Sequence, residues 1–101
     1  MTQATPTTQI ESPTTRVTRW DFPPGSSTGH HTHQFDYIVV PVTDGVITVT
    51  GTDGSAVEAP LSVGGSYARS GGISHNVANL TSEFISFVEI ELLEHPTIAT
   101  D

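Results

Sequence analysis

Three of the five histidines in this 101-residue chain are spaced for metal chemistry. His31 and His33 flank a single threonine, and on an extended strand that spacing puts both imidazoles on one face, about 7 Å apart. They converge on one ion if a third imidazole arrives from another strand. His75 is the candidate, because it follows Ser70-Gly71-Gly72-Ile73-Ser74, a turn able to aim a new strand back across the molecule. Three neutral imidazoles suit Zn²⁺, Fe²⁺, Ni²⁺ or Cu²⁺ and leave positions open for water, dioxygen or a bidentate substrate. A zinc-bound water titrates near neutrality and serves hydrolysis or lyase chemistry, whereas Fe²⁺ suits dioxygen activation. His30 has the opposite parity and reads as a surface residue, as does His95 in the polar tail.

Other side chains bear on the same site. Arg69 is the only arginine beyond residue 19, and period two puts it on a face with Tyr67. Its planar fork can clamp a substrate carboxylate, or it can form a structural ion pair with one of the eleven acids. Glu89 and Glu91 alternate with Val88, Ile90 and Leu92, so Glu83, Glu89, Glu91 and Glu94 read as a solvated acidic face. Trp20, Phe22, Phe84, Phe87, Ile90 and Leu92 read as core or subunit interface.

These residues have to be positioned by strands. From Arg16 onward short runs of Val, Ile, Thr, Phe and Tyr alternate with Gly, Pro and Asp-Gly punctuation, without a sustained 3.6-residue apolar period. Strands are expected near Val17–Phe22, His30–His33, Phe35–Val42, Val46–Thr50, Ala56–Ala59, Ser66–Arg69, His75–Asn79 and Phe84–Leu92. Thr43-Asp44-Gly45 and Thr52-Asp53-Gly54 have the chemistry of hairpin turns, and Pro41 marks a bulge or an edge position. Short strands with turns at this spacing specify an all-β sandwich or barrel. Residues 1–14 contain Ile10 as their only large aliphatic residue besides Met1 and read as a flexible arm, able to dock on a partner subunit. Residues 15–93 form the domain and 94–101 a polar tail.

Composition closes off other functions. Three arginines, no lysine and a formal charge of −8 leave no basic surface for nucleic acid. No apolar run is long enough to span a bilayer, and the Thr/Gln/Pro-rich start lacks the pattern of a signal peptide. No cysteine is present, so thiolate metal sites and disulfides are excluded. An acidic, soluble, cytoplasmic domain is expected.

Two segments carry a family resemblance. Gly25-(five residues)-His31-Thr32-His33-…-Gly45 resembles cupin motif 1, and Gly64-(five residues)-Ser70-Gly71-Gly72-Ile73-Ser74-His75-(three residues)-Asn79 resembles cupin motif 2. They occur in order with eighteen residues between them. The resemblance implies a double-stranded β-helix, a small jelly-roll barrel, with a metal near its centre held by His31, His33 and His75. The cofactor it implies is one divalent transition metal per chain: Fe, Zn, Ni or Mn. Ser70 stands where a proline is usual.

The glutamate ligand of motif 1 is missing. Its position falls on Tyr37 or Ile38. Parity from the histidines puts Tyr37 on the inner face with Phe35 and Val39, and Asp36 outward unless a local bulge turns it in; a bulge at Pro41 absorbs the extra residue that the Tyr37 alignment leaves before Gly45. Tyr37 then serves either as a hydrogen-bond donor to a metal-bound ligand or as an aromatic core residue. A carboxylate-free site keeps more positive charge and favours an anionic substrate. The three-histidine set resembles the dioxygenase subset of cupins, so the leading expectation is oxidative cleavage of a small carboxylated or oxygenated metabolite. Tyr37 is the catalytic candidate, and Arg69, Tyr67 and Phe35 are the substrate-binding candidates. A lyase or isomerase and a non-catalytic ligand-binding module are the alternatives. The run Asp36-Tyr37-Ile38-Val39-Val40-Pro41 is similar to small cupins associated with β-alanine degradation. A homodimer is expected, because small barrels leave edges and apolar faces to cover.

Overall fold

The computed structural model describes residues 2–93; the polar tail and His95 lie outside them. The described residues form eleven strands in two sheets, with no helix. One sheet contains β1 (Thr2–Gln3), β4 (Ser26–Ser27), β5 (His31–Thr32), β7 (Gly45–Gly51), β8 (Ala56–Leu61) and β10 (Ser74–Ala78). The other contains β2 (Thr5–Glu11), β3 (Thr15–Phe22), β6 (Tyr37–Pro41), β9 (Tyr67–Arg69) and β11 (Ile85–Leu92). In spatial order the sheets run β1-β4-β10-β7-β8, with β5 also on β10, and β2-β3-β11-β6-β9. Their inner faces enclose a core of Phe22, Tyr37, Val39, Ile47, Leu61, Val77, Ile85 and Phe87. This is the expected all-β jelly roll.

Alternation explains each inner face. On β6, Tyr37, Val39 and Pro41 are buried while Ile38 and Val40 are half-buried, the mark of a strand with one side in the core. Phe22 and Phe87 meet with ring centroids 5.3 Å apart, and Trp20 lies 6.0 Å from Phe22. The Phe22–Phe87 contact joins β3 to β11 from inside.

Three expectations need correction. Residues 5–11 are not a free arm: they pair with β3 from Thr5↔Asp21 to Glu11↔Arg16, with a bulge between Thr8 and Ile10. Polar threonines gain their order here from the exposed edge of β3 rather than from core burial, a source that composition does not display. Thr43-Asp44-Gly45 does not close a hairpin. β6 pairs with β11 and β9, whereas β7 pairs with β10 and β8, so this turn carries the chain between sheets. Pro41 makes no bulge, because the β6–β11 register is continuous from Tyr37↔Glu91 to Pro41↔Phe87. It is tolerated because β9 pairs only with Tyr37–Val39, so no ladder bond is asked of its nitrogen from that side. Of the residues expected in the core or a subunit interface, Phe22 and Phe87 lie in the core, while Phe84 is exposed and Ile90 and Leu92 are half-buried. The Thr52-Asp53-Gly54 hairpin does join β7 to β8, with Asp53 Oδ1 accepting from the Ser55 amide at 3.0 Å.

Candidate metal centre

β5 and β10 run antiparallel with His31 directly opposite His75. On the other side of β10, Gly51 of β7 stands opposite His75, so that histidine is held by strands on both flanks. After Thr32 the chain leaves the first sheet, and Gln34, Phe35 and Asp36 carry it to β6. His33 sits at this crossing and is buried.

The glycine turn before β10 fixes the crossing. The Gly72 amide donates to the His33 carbonyl at 2.6 Å, and the Gly71 amide donates to Asp36 Oδ1 at 2.9 Å. A Cβ on Gly71 would stand 2.7–2.9 Å from the backbone of Phe35, closer than real contacts allow. Thr32 and Ser74 complete the join through their hydroxyls. The two motifs are therefore tied together by backbone on the outer side of the three imidazoles.

The donor nitrogens of His31, His33 and His75 all lie within 4.8 Å of one another. His31 Nδ1 is 2.9 Å from the Gly29 carbonyl. A carbonyl only accepts, so Nδ1 holds the proton and Nε2 presents its lone pair. That Nε2 faces His33 Nε2 at 3.2 Å. His75 Nε2 is buried with no hydrogen-bond partner, a state that costs about 1–3 kcal/mol when left unmet. A divalent transition metal satisfies all three nitrogens at once, so the donor set fits the expected cofactor. Burial, then the neighbouring His31 and His75, hold His33 down to about 4. Burial and then His31 also lower His75. Both stay neutral near pH 7, the form that ligates a metal.

Tyr37 stacks on His33, with centroids 3.9 Å apart and planes 24° from parallel. Burial, followed by the nearby Glu89, pushes its phenol up to about 12, so it keeps its proton. Asp36 is engaged with Gly71 and does not turn towards the histidines. Two cavities meet at the imidazoles. One, of about 230 Å³, fills the barrel interior against Val39, Ile47, Val49, Val77 and Phe87 and reaches His75 and Tyr37. The other, of about 370 Å³, lies against His31, His33, Trp20, Thr28 and Arg16. Tyr67 and Arg69 line the first cavity, with the guanidinium 4.4 Å over the Tyr67 ring. Arg69 is exposed and makes no ion pair among the described residues. Phe35 lines neither cavity. It lies in the crossing segment, whose bends break the parity that placed it beside Tyr37.

Glu89 is the residue that alternation missed. It is 8% exposed and lines both cavities, so it does not belong to a solvated face. Its Oε1 accepts from Trp20 Nε1 at 3.2 Å, and Oε2 lies 3.8 Å from His33 Nε2. Burial raises its carboxyl to about 7; with His33 neutral, this contact is not a formed ion pair at neutral pH. The inner parity of β11 is that of Ile85 and Phe87, not that of Val88 and Ile90. Counting from Phe87 would have found it. Glu91, one step further on this face, is bound by Arg16 Nε at 2.8 Å.

Residues 18–91 match the cupin domain family. A Pseudomonas aeruginosa protein named beta-alanine degradation protein BauB is 43% identical over 90 residues, which cover 89% of this chain and 94% of that one. Among solved structures, a cupin domain from Bordetella pertussis Tohama I aligns with a TM-score of 0.86 at 44% identity, over 90% of this chain and 94% of the other. A double-stranded β-helix domain protein from Klebsiella pneumoniae aligns with a TM-score of 0.75 at 18% identity, over 89% and 76% of the two chains. That second likeness is one of fold.

Proposed function

This chain belongs to the cupin domain family, and from that premise we propose that it is a metal-dependent enzyme acting on a small carboxylate, with His31, His33 and His75 as the metal ligands. The observation that carries the reading is the buried, partnerless Nε2 of His75 beside the facing Nε2 atoms of His31 and His33. A bound Fe²⁺ would supply dioxygen activation, and Zn²⁺ or Ni²⁺ would supply Lewis-acid chemistry. The chain's own groups do the rest. Arg69 offers the cavity wall a guanidinium that no described carboxylate pairs, for a substrate carboxylate, and the Tyr37 phenol offers a proton donor beside His33. The apolar lining from Val39 to Phe87 keeps water from the substrate body. The name of the Pseudomonas relative favours a small carboxylate arising from β-alanine.

The test is metal content per chain by inductively coupled plasma mass spectrometry for wild type, His33→Ala and His75→Ala, followed by turnover of a panel of small carboxylates with each metal. About one equivalent in wild type, lost in both variants, together with turnover, supports the enzyme. Metal and ligand binding without turnover would select a binding module instead. No metal after reconstitution removes both readings.

We also read the outer face of the second sheet as the surface that a second copy covers. Ile10, Val17, Ile90, Ile38 and Ala68 lie opposite one another in a single row across all five strands. The row ends on the exposed strand β2, whose free edge invites pairing with another copy of itself. Light scattering on wild type and Ile38→Glu tests this: a dimer that the substitution dissociates is expected, and a monomeric wild type rejects it.

A further inference from the structure

We propose that Glu89 supplies this metal centre with the carboxylate that position 37 lacks, joining the three histidines as a ligand through Oε2. The inference rests on the three-histidine reading above.

Four observations converge on it. Glu89 projects into the barrel from the middle of β11 and lines two cavities, one reaching His75 and the other His31 and His33. Its two oxygens are distinguished by their surroundings. Oε1 accepts from the Trp20 indole, while Oε2 has His33 Nε2 as its near neighbour at 3.8 Å. Two donor atoms each about 2 Å from one ion stand roughly 3–4 Å apart, so that separation suits joint ligation. The mutually close set contains the three imidazoles, and Glu89 stands beside it on the His33 side.

The second argument is one of position. Tyr37 of β6 stands opposite Glu91, and Val39 stands opposite Glu89. The family pattern draws its carboxylate from motif 1 at about position 37; here the neighbouring strand offers one from the same inner face. The tyrosine occupies the space over His33 instead. Charge agrees with this placement. Three neutral imidazoles leave a divalent ion uncompensated in a low-dielectric interior, and a buried carboxylate without a cation is itself unfavourable. No arginine meets Glu89; Arg16 is paired with Glu91 and Glu11. Each group answers the other's deficit.

The deciding comparison is Glu89→Gln, which keeps the shape and an oxygen acceptor for Trp20, against Glu91→Gln, which removes the acid paired with Arg16. Metal affinity is read by isothermal titration with Co²⁺ and Zn²⁺, and the ligand field by the visible spectrum of the Co²⁺-loaded protein. Ligation predicts at least tenfold weaker binding and an altered Co²⁺ spectrum for Glu89→Gln, with Glu91→Gln close to wild type in both. Circular dichroism confirms that each variant is folded. Wild-type affinity and an unchanged spectrum in Glu89→Gln overturn the proposal while leaving the three-histidine site standing. A wild type that binds no metal overturns both.

Discussion

His33 and Tyr37 lie face to face, 3.9 Å between centroids, with the tyrosine at one of the two positions where the motif 1 glutamate would fall. The ring therefore buttresses the proposed ligand His33. Tyr37→Phe keeps the stack and should leave metal affinity within about twofold of wild type. Tyr37→Ala removes it and should weaken binding by about 10-fold or more, the usual cost of losing a side chain that orients a ligand. Titration calorimetry on both variants measures the contrast.

Metal should couple directly to stability, since the unfolded chain cannot bring residues 31, 33 and 75 together. At a free metal concentration one hundred times Kd the gain is about 2.7 kcal/mol. For a domain of this size that raises the melting temperature by roughly 10–20 °C. A chelator should reverse the shift, and His75→Ala should show none, as read by scanning fluorimetry with and without metal.

The metal-free protein should respond to pH in two opposite senses. His33 titrates near 4 when folded against about 6.5 unfolded. The unfolded chain thus binds more protons across that window, and stability is lost as pH falls through it. Glu89 titrates near 7 when folded against 4.5 as its ordinary value, so its contribution is lost as pH rises from about 4.5 through 7. Glu89→Gln deletes the second effect alone. Urea denaturation should find it more stable than wild type at pH 8 by on the order of 3 kcal/mol, with the difference shrinking towards pH 4.5. A variant that gains stability while losing metal follows the usual trade between function and stability.

Gly71→Ala should act on both the fold and the site. Its new methyl collides with the Phe35 backbone, displacing the turn that holds His33, at a cost of about 1–3 kcal/mol. Metal affinity should drop with it. Gly64→Ala, at φ +82 in the turn after β8 and with open space for the new methyl, is strained too, by about 1 kcal/mol, but should leave metal affinity unchanged. Melting curves and metal titrations on the pair separate a local strain from one transmitted to the site.

Much of this was legible in the residues. His31, His33 and His75 could be read because strand parity and motif order are properties of the local chain. Asn79, the last residue of motif 2, could be placed but not explained. Only the structure shows it buried, with Nδ2 donating to the carbonyls of Phe22 and Glu83 and Oδ1 accepting from Thr81. Glu89 was illegible because β11 is apolar on both faces: Ile85 and Phe87 point inward, Val88 and Ile90 outward. Alternation alone cannot choose between the two parities when the outer face is also apolar. β2 was hidden for the opposite reason, being exposed throughout, polar but for Pro6 and Ile10, and ordered by backbone pairing.

The pairing of β11 sets an order for folding. β3 and β6 both wait for it, because β11 lies between them. His31, His33 and His75 all precede residues 85–92 in the chain, yet the sheet that carries Tyr37 cannot close without them, and pairings across such sequence distances are slow to form. The proposed metal site is complete only in the finished barrel, and a chain truncated before Ile85 should bind metal no better than an unstructured peptide with the same histidines.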